Sequence, residues 1–137
     1  MKKIIYFIEF VTIKLFFIIC KLLGYRFSSN LGFYIGKTFG NIFRKKISII
    51  QNLKKSKILI DNSENKFAKN VLGNYGRILA EYPFLKDFRN NNLSNYIKIE
   101  GIENLEKIKK NNKAVVFISG HFNNFELMAM QIEKSGI

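Results

Sequence analysis

The chain's only histidine, His121, is followed five residues later by an acid, Glu126, in Gly-His-Phe-Asn-Asn-Phe-Glu-Leu. A neutral imidazole accepts a proton near neutral pH, and a carboxylate at its other ring nitrogen fixes the tautomer and stabilises the imidazolium. On one continuous helix a spacing of five would set the two side chains roughly 140° apart. With His121 in a turn and Glu126 on the first turn of a following helix, they can face each other. Such a dyad activates a hydroxyl with no serine or cysteine nucleophile. The alternative reading of an isolated His and Glu is a surface or core histidine without chemistry.

The elements that must position this pair lie on either side of it. Ala114 to Ile118 is an apolar, largely β-branched or aromatic run and reads as a buried strand ended by Ser119-Gly120. Beyond the histidine, Phe125, Leu127, Met128, Met130, Gln131 and Ile132 recur at helical spacing. Asn123 or Asn124 is available as N-cap, and Gly136 as the stop. Upstream, Tyr96 to Glu100 alternates as a strand does, and Gly101 to Lys110 forms a surface helix with Ile102, Leu105 and Ile108 inward. This order predicts an α/β fold beginning βαβα, with parallel strands and a right-handed crossover. Ligands in such sheets bind outside the strand carboxyl ends, where a helix N-terminus offers N–H groups.

The preceding part of the chain is of another kind. Lys2 and Lys3 lead into Ile4 to Leu23, apolar almost throughout except for Glu9, Thr12, Lys14 and Lys21. Apolar gain and buried-charge cost nearly cancel for a span. Lys3, Lys14 and Lys21 fall within roughly 20° of one another on a helical wheel, a cationic stripe suited to the head-group layer or to a weak span. No small-residue cleavage site follows. Ser28 or Ser29 can cap a second helix carrying Gly32, Gly36 and Gly40, whose spacing predicts close backbone approach to Ile4 to Leu23 in a helical hairpin.

Arg44 to Lys57 is basic and amphipathic. Asp61-Asn-Ser-Glu64 reads as a capping box for a long helix ending near Tyr82, before Pro83. Within it Arg77 and Glu81 stand four apart, placed either to pair with each other or to leave Arg77 facing substrate. Asn90 to Asn95 is the polar link into the α/β part. The expected divisions are thus residues 1–45, a membrane-associated hairpin; 46–92, a helical segment; and 93–137, the first half of an α/β domain.

The chain has 137 residues and 23 Lys+Arg against 10 Asp+Glu, a formal charge of +13, which draws it to anionic surfaces. The lysines ride on apolar helices without a nucleic-acid reader motif, which argues against nucleic acid as partner. A single cysteine, Cys20, excludes internal disulfides and an all-cysteine metal site.

The strand, Gly-His-Phe-Asn-Asn-Phe-Glu block and apolar helix resemble the signature of the bacterial lipid A lauroyl/myristoyl acyltransferases, a histidine, four residues and then Asp or Glu. Asn123 stands where that family usually has glycine and Phe125 where it has tryptophan, while His121, Asn124 and Glu126 match. Arg44 to Leu53 with Asn52, Asn74 to Glu81, and the order from Tyr96 onward are similar to the same family. The resemblance covers this chain as the family's N-terminal half, so a truncated glycerolipid-acyltransferase-like sheet is expected. It implies acyl transfer from an acyl-carrier-protein thioester to a hydroxyl of a lipid A precursor, at the cytoplasmic face of a bacterial inner membrane, with no metal and no cofactor. The implied partners are acyl carrier protein, an anionic glycolipid and the inner membrane. The implied roles are His121 as base, Glu126 as its orienter, the backbone near Asn123 and Asn124 as oxyanion donors, and Arg77 as a substrate-binding group. A glycerophospholipid or other glycolipid acyltransferase, or a non-catalytic membrane-surface fragment, are the alternatives.

Overall fold

The computed structural model describes residues 2–57, 63–111, 113–120 and 122–137. They form two compact units, Met1–Phe84 and Leu85–Ile137.

In the first unit, α1 (Lys2–Leu23) runs into α2 (Tyr25–Phe43) with one residue between them. That residue is Gly24, at φ 79, a backbone conformation that L side chains resist. Its N–H still bonds to the Cys20 carbonyl at 3.1 Å, so α1 closes its last turn and α2 starts at once. Ser28 therefore lies inside α2 instead of capping it. Its hydroxyl donates to the same Cys20 carbonyl at 2.7 Å, a second bond to that acceptor, and both residues are buried.

The glycine strip of α2 packs closely, but against a different helix from the one expected. A Cβ built on Gly32 would stand 2.5 Å from the Gly76 carbonyl oxygen, and one on Gly36 would collide with the Leu72 carbonyl. Both targets belong to α4 (Glu64–Glu81). The reason is in the partners: α4 has its own small positions, Gly73, Gly76 and Ala80, whereas Ile4 to Leu23 has neither glycine nor alanine. The Phe33 ring fills the space over Gly73. Between these helices α3 (Lys46–Lys55) adds Ile49, which packs with Ala68 and Leu72 of α4 as a small core flanked by Ile50 and Val71. α4 ends at Glu81, and Pro83 follows in a 3₁₀ turn, Tyr82–Phe84, as a missing N–H requires. At its start Ser63 occupies the N-cap position without a side-chain bond to the first turn. Asp61, from the expected capping box, lies outside the described residues.

The second unit contains α5 (Leu85–Arg89), a 3₁₀ turn at Ser94–Tyr96, α6 (Ile102–Asn111) and α7 (Glu126–Lys134). α5 and α7 are joined by Arg89, whose guanidinium donates to Glu133 at 2.9 Å, and by Lys134, which donates to Asn91. Lys109 of α6 reaches the Ser135 carbonyl at 3.1 Å.

The expected α/β sheet is not present: among the described residues there is no strand, and the fold is helical. Ile97–Gly101 and residues 113–120 run without helix or ladder. A strand exists through hydrogen bonds to a neighbour, and among the described residues neither segment has one. The run composed like a buried strand is open instead, with Val116 84% and Ile118 94% exposed. None of the described helices is long and apolar enough to cross a membrane; α1 meets the length, but Glu9, Lys14 and Lys21 break its apolar surface.

Candidate functional site

Of the residues singled out for chemistry, Asn123, Asn124 and Glu126 fall on the segment that leads into and opens α7. Ser119 anchors its upstream side, its hydroxyl near the Met128 sulfur at 3.6 Å and donating to the Gly120 carbonyl at 3.1 Å. A Cβ on Gly120 would meet the Phe122 ring at 2.5 Å, a contact the exposed ring can relieve by turning. The Phe122 N–H turns back to the Gly120 carbonyl at 2.8 Å. The chain then reverses through Asn123, which takes φ 47, a left-handed conformation that asparagine tolerates better than most residues.

That left-handed residue keeps α7 from starting where the sequence suggests. The N-cap is Phe125, not Asn123 or Asn124, and Glu126 is the first helical residue. The Leu127 and Met128 N–H groups are taken by the Asn124 and Phe125 carbonyls at 3.2 and 3.1 Å. Glu126 is half-buried on the first turn of α7, where the helix dipole favours a carboxylate. Gly136, at φ 77, follows the C-terminus of α7, and its N–H reaches the Glu133 carbonyl at 3.0 Å, as expected of a stop residue. His121, and with it the His121–Glu126 contact, lies outside the described residues. Beside α7, Leu127, Met128 and Gln131 face Tyr96 to Glu100 across a cleft of about 410 Å³.

Arg77 is in the first unit. Its guanidinium stands 4.7 Å over the Phe33 ring, a cation–π arrangement, and its buried Nε makes no hydrogen bond. It does not take Glu81 as its partner. The Glu81 carboxylate, nearly fully buried, instead accepts from the Ser29 hydroxyl at 2.7 Å and lies 3.4 Å from the Tyr25 hydroxyl. Sequence reading missed this triad, since nothing local signals a partner more than fifty positions away. It also missed that Arg44 and Tyr75, each within a separately noted segment, meet: Arg44 Nη1 donates to the Tyr75 hydroxyl at 2.6 Å and its guanidinium lies 4.7 Å from the ring centre. Among the described residues no cluster of His, Cys, Asp and Glu is placed to hold a metal.

Among the described residues, the first unit is built on close-packed glycines and the second carries a turn that brings the Glu126 carboxylate to the start of α7. The family model described as bacterial lipid A biosynthesis acyltransferase matches residues 1–136. The chain therefore belongs to that family, whose members are acyltransferases of lipid A synthesis. No curated protein and no solved structure matches it.

Proposed function

We propose that the protein transfers a fatty acyl group from an acyl-carrier-protein thioester to a hydroxyl of a lipid A precursor, at the cytoplasmic face of the bacterial inner membrane. The family match over residues 1–136 carries this reading, together with the His121, Asn124 and Glu126 positions of the signature block. In the mechanism His121 takes the proton of the acceptor hydroxyl as its oxygen attacks the thioester carbonyl. Glu126 holds the other ring nitrogen and stabilises the imidazolium. Backbone N–H groups near Asn123 and Asn124 stabilise the oxyanion, which collapses to the ester and expels the carrier thiol; the proton returns from His121. A thioester is reactive enough that no metal or cofactor is required. Arg77 is proposed to bind an anionic group of the glycolipid.

Membrane attachment belongs to the same reading. Ile4, Phe7, Ile18 and Leu22 of α1 are exposed, and the Lys3, Lys14 and Lys21 stripe suits anionic head groups, so α1 lies in the interface rather than across it. The test is acyl transfer by the protein from lauroyl-acyl carrier protein to a phosphorylated lipid A precursor, read by mass spectrometry. His121→Ala should lower turnover by roughly 10² to 10⁴ while leaving liposome flotation intact. Unchanged turnover removes the dyad. Flotation without any turnover in the unaltered protein would favour a non-catalytic membrane-surface module, the reading to which the uncovered Val116 and Ile118 point.

A further inference from the structure

The first unit contains an apolar groove of about 670 Å³ between α1, α2 and α4. Phe16, Phe39 and Leu79 contribute one wall residue from each helix, and Gly36 and Gly76, packed backbone to backbone, form the floor. Of its polar lining groups, Thr12 spends its hydroxyl on the Ile8 carbonyl at 2.8 Å. The others, Arg44 and Tyr75, are bonded together at the end of α2.

Size decides what fits. Gly32 and Phe43 both line the groove, and at 1.5 Å per residue they are about 17 Å apart. Over that length the groove offers about 670 Å³, room for an extended chain laid along the helices. An extended peptide would find no backbone partners, because helices satisfy their own N–H and C=O groups. A hydrocarbon chain needs none. One leaflet of a bilayer is about 15 Å of hydrocarbon, which is close to the groove's length.

The charge at its end fixes the other half of the ligand. Stacking on Tyr75 and the 2.6 Å bond to its hydroxyl hold the Arg44 guanidinium in place and leave further N–H donors of its planar fork. Among the described residues no carboxylate pairs with it, and Lys45 and Lys46 follow directly. Such a fork matches phosphate oxygens.

We propose that this groove is a binding site for one anionic glycerophospholipid, with an acyl tail between α1, α2 and α4 and the head-group phosphate on Arg44. The site stands on residues of the first unit and does not depend on the acyl-transfer reading.

The chain contains no tryptophan, so Phe39→Trp places a single reporter in the groove and Phe27→Trp a control elsewhere on α2. Each full-length variant, with helicity confirmed by circular dichroism, is titrated in non-ionic micelles with phosphatidylglycerol brominated on its acyl chains. Quenching of the Phe39→Trp reporter should saturate at one lipid per chain, while the Phe27→Trp signal follows the lipid fraction of the micelle. Arg44→Gln in the reporter background should weaken binding about tenfold, and brominated diacylglycerol, with the same tails and no phosphate, should bind about as weakly. Equal, unsaturable quenching of both reporters, or indifference to Arg44→Gln, overturns the proposal. So does displacement by lauroyl-acyl carrier protein, which would make the groove a donor site, or saturation that tracks chain dimerisation by sedimentation, which would make its occupant a second copy.

Discussion

Gly32 of α2 and Gly76 of α4 meet so closely that a Cβ on the first would stand 2.5 Å from the carbonyl oxygen of the second. Real Cβ atoms do not approach a backbone oxygen that closely, so any side chain at this crossing forces the helices apart and opens the core around Leu72. Glycine in a helix costs roughly 1 kcal/mol relative to alanine, and overpacking typically costs 1 to 3 kcal/mol. The second effect wins here, because backbone and not a flexible side chain is displaced. Gly32→Ala should lower the urea midpoint, and Gly32→Leu should lower it further, by about 3 kcal/mol in unfolding free energy. A rise of about 1 kcal/mol in the alanine variant, the propensity gain alone, would refute the close crossing.

Glu81 is the only buried carboxylate among the described residues, and the Ser29 hydroxyl serves it at 2.7 Å. A hydrogen bond to a charged group is worth about 1.5 to 3 kcal/mol, and removing the acceptor leaves the donors to be satisfied elsewhere. Glu81→Ala should therefore lose about 2 kcal/mol in chemical unfolding. By contrast Arg89→Ala, which breaks a pair with both side chains more than half exposed, should change stability by no more than about 0.5 kcal/mol.

Burial pushes the Cys20 thiol above its ordinary range, an effect that the hydrogen bond with Ser28 only partly opposes. The folded protein thus holds this proton more tightly than the unfolded chain. That contribution to stability is complete below the ordinary thiol pKa and is lost as pH rises through the folded value. Unfolding midpoints should accordingly fall on the alkaline side of about pH 8.5, less so in Cys20→Ala than in the unaltered protein. Iodoacetamide should label Cys20 at pH 7 only with denaturant present, since the residue is 2% exposed; rapid labelling of the native chain would contradict its burial.

The lysine stripe of α1 is predicted to govern attachment to anionic lipid. Each lysine near a charged surface contributes about 1 kcal/mol, so replacing Lys3, Lys14 and Lys21 together by glutamine should weaken binding to phosphatidylglycerol vesicles roughly 10²-fold. Flotation of the triple variant at rising salt measures it. Equal flotation would assign attachment to the apolar surface alone.

The sequence by itself determined the local facts. It placed a helix on each long apolar periodicity, the end of α4 before Pro83, the stop at Gly136, and the need for a close partner along Gly32, Gly36 and Gly40. It also carried the family, because the His121 to Glu126 block is a matter of residue order. Which helix met the glycine strip was a tertiary decision: Gly73 and Gly76 permit the approach that the large side chains of α1 forbid, and backbone contact is settled by both surfaces at once. The pairing of Arg44 with Tyr75 and of Glu81 with Ser29 was decided in the same way, by helices brought together from distant parts of the chain. The sheet failed for a related reason. A run such as Ala114 to Ile118 has strand composition, but a strand is a relation between two segments, and among the described residues, 113–120 have no ladder partner. Helices close their hydrogen bonds within a few residues and are legible locally; strands, crossings and buried polar pairs are closed by residues far away and become visible only in the folded molecule.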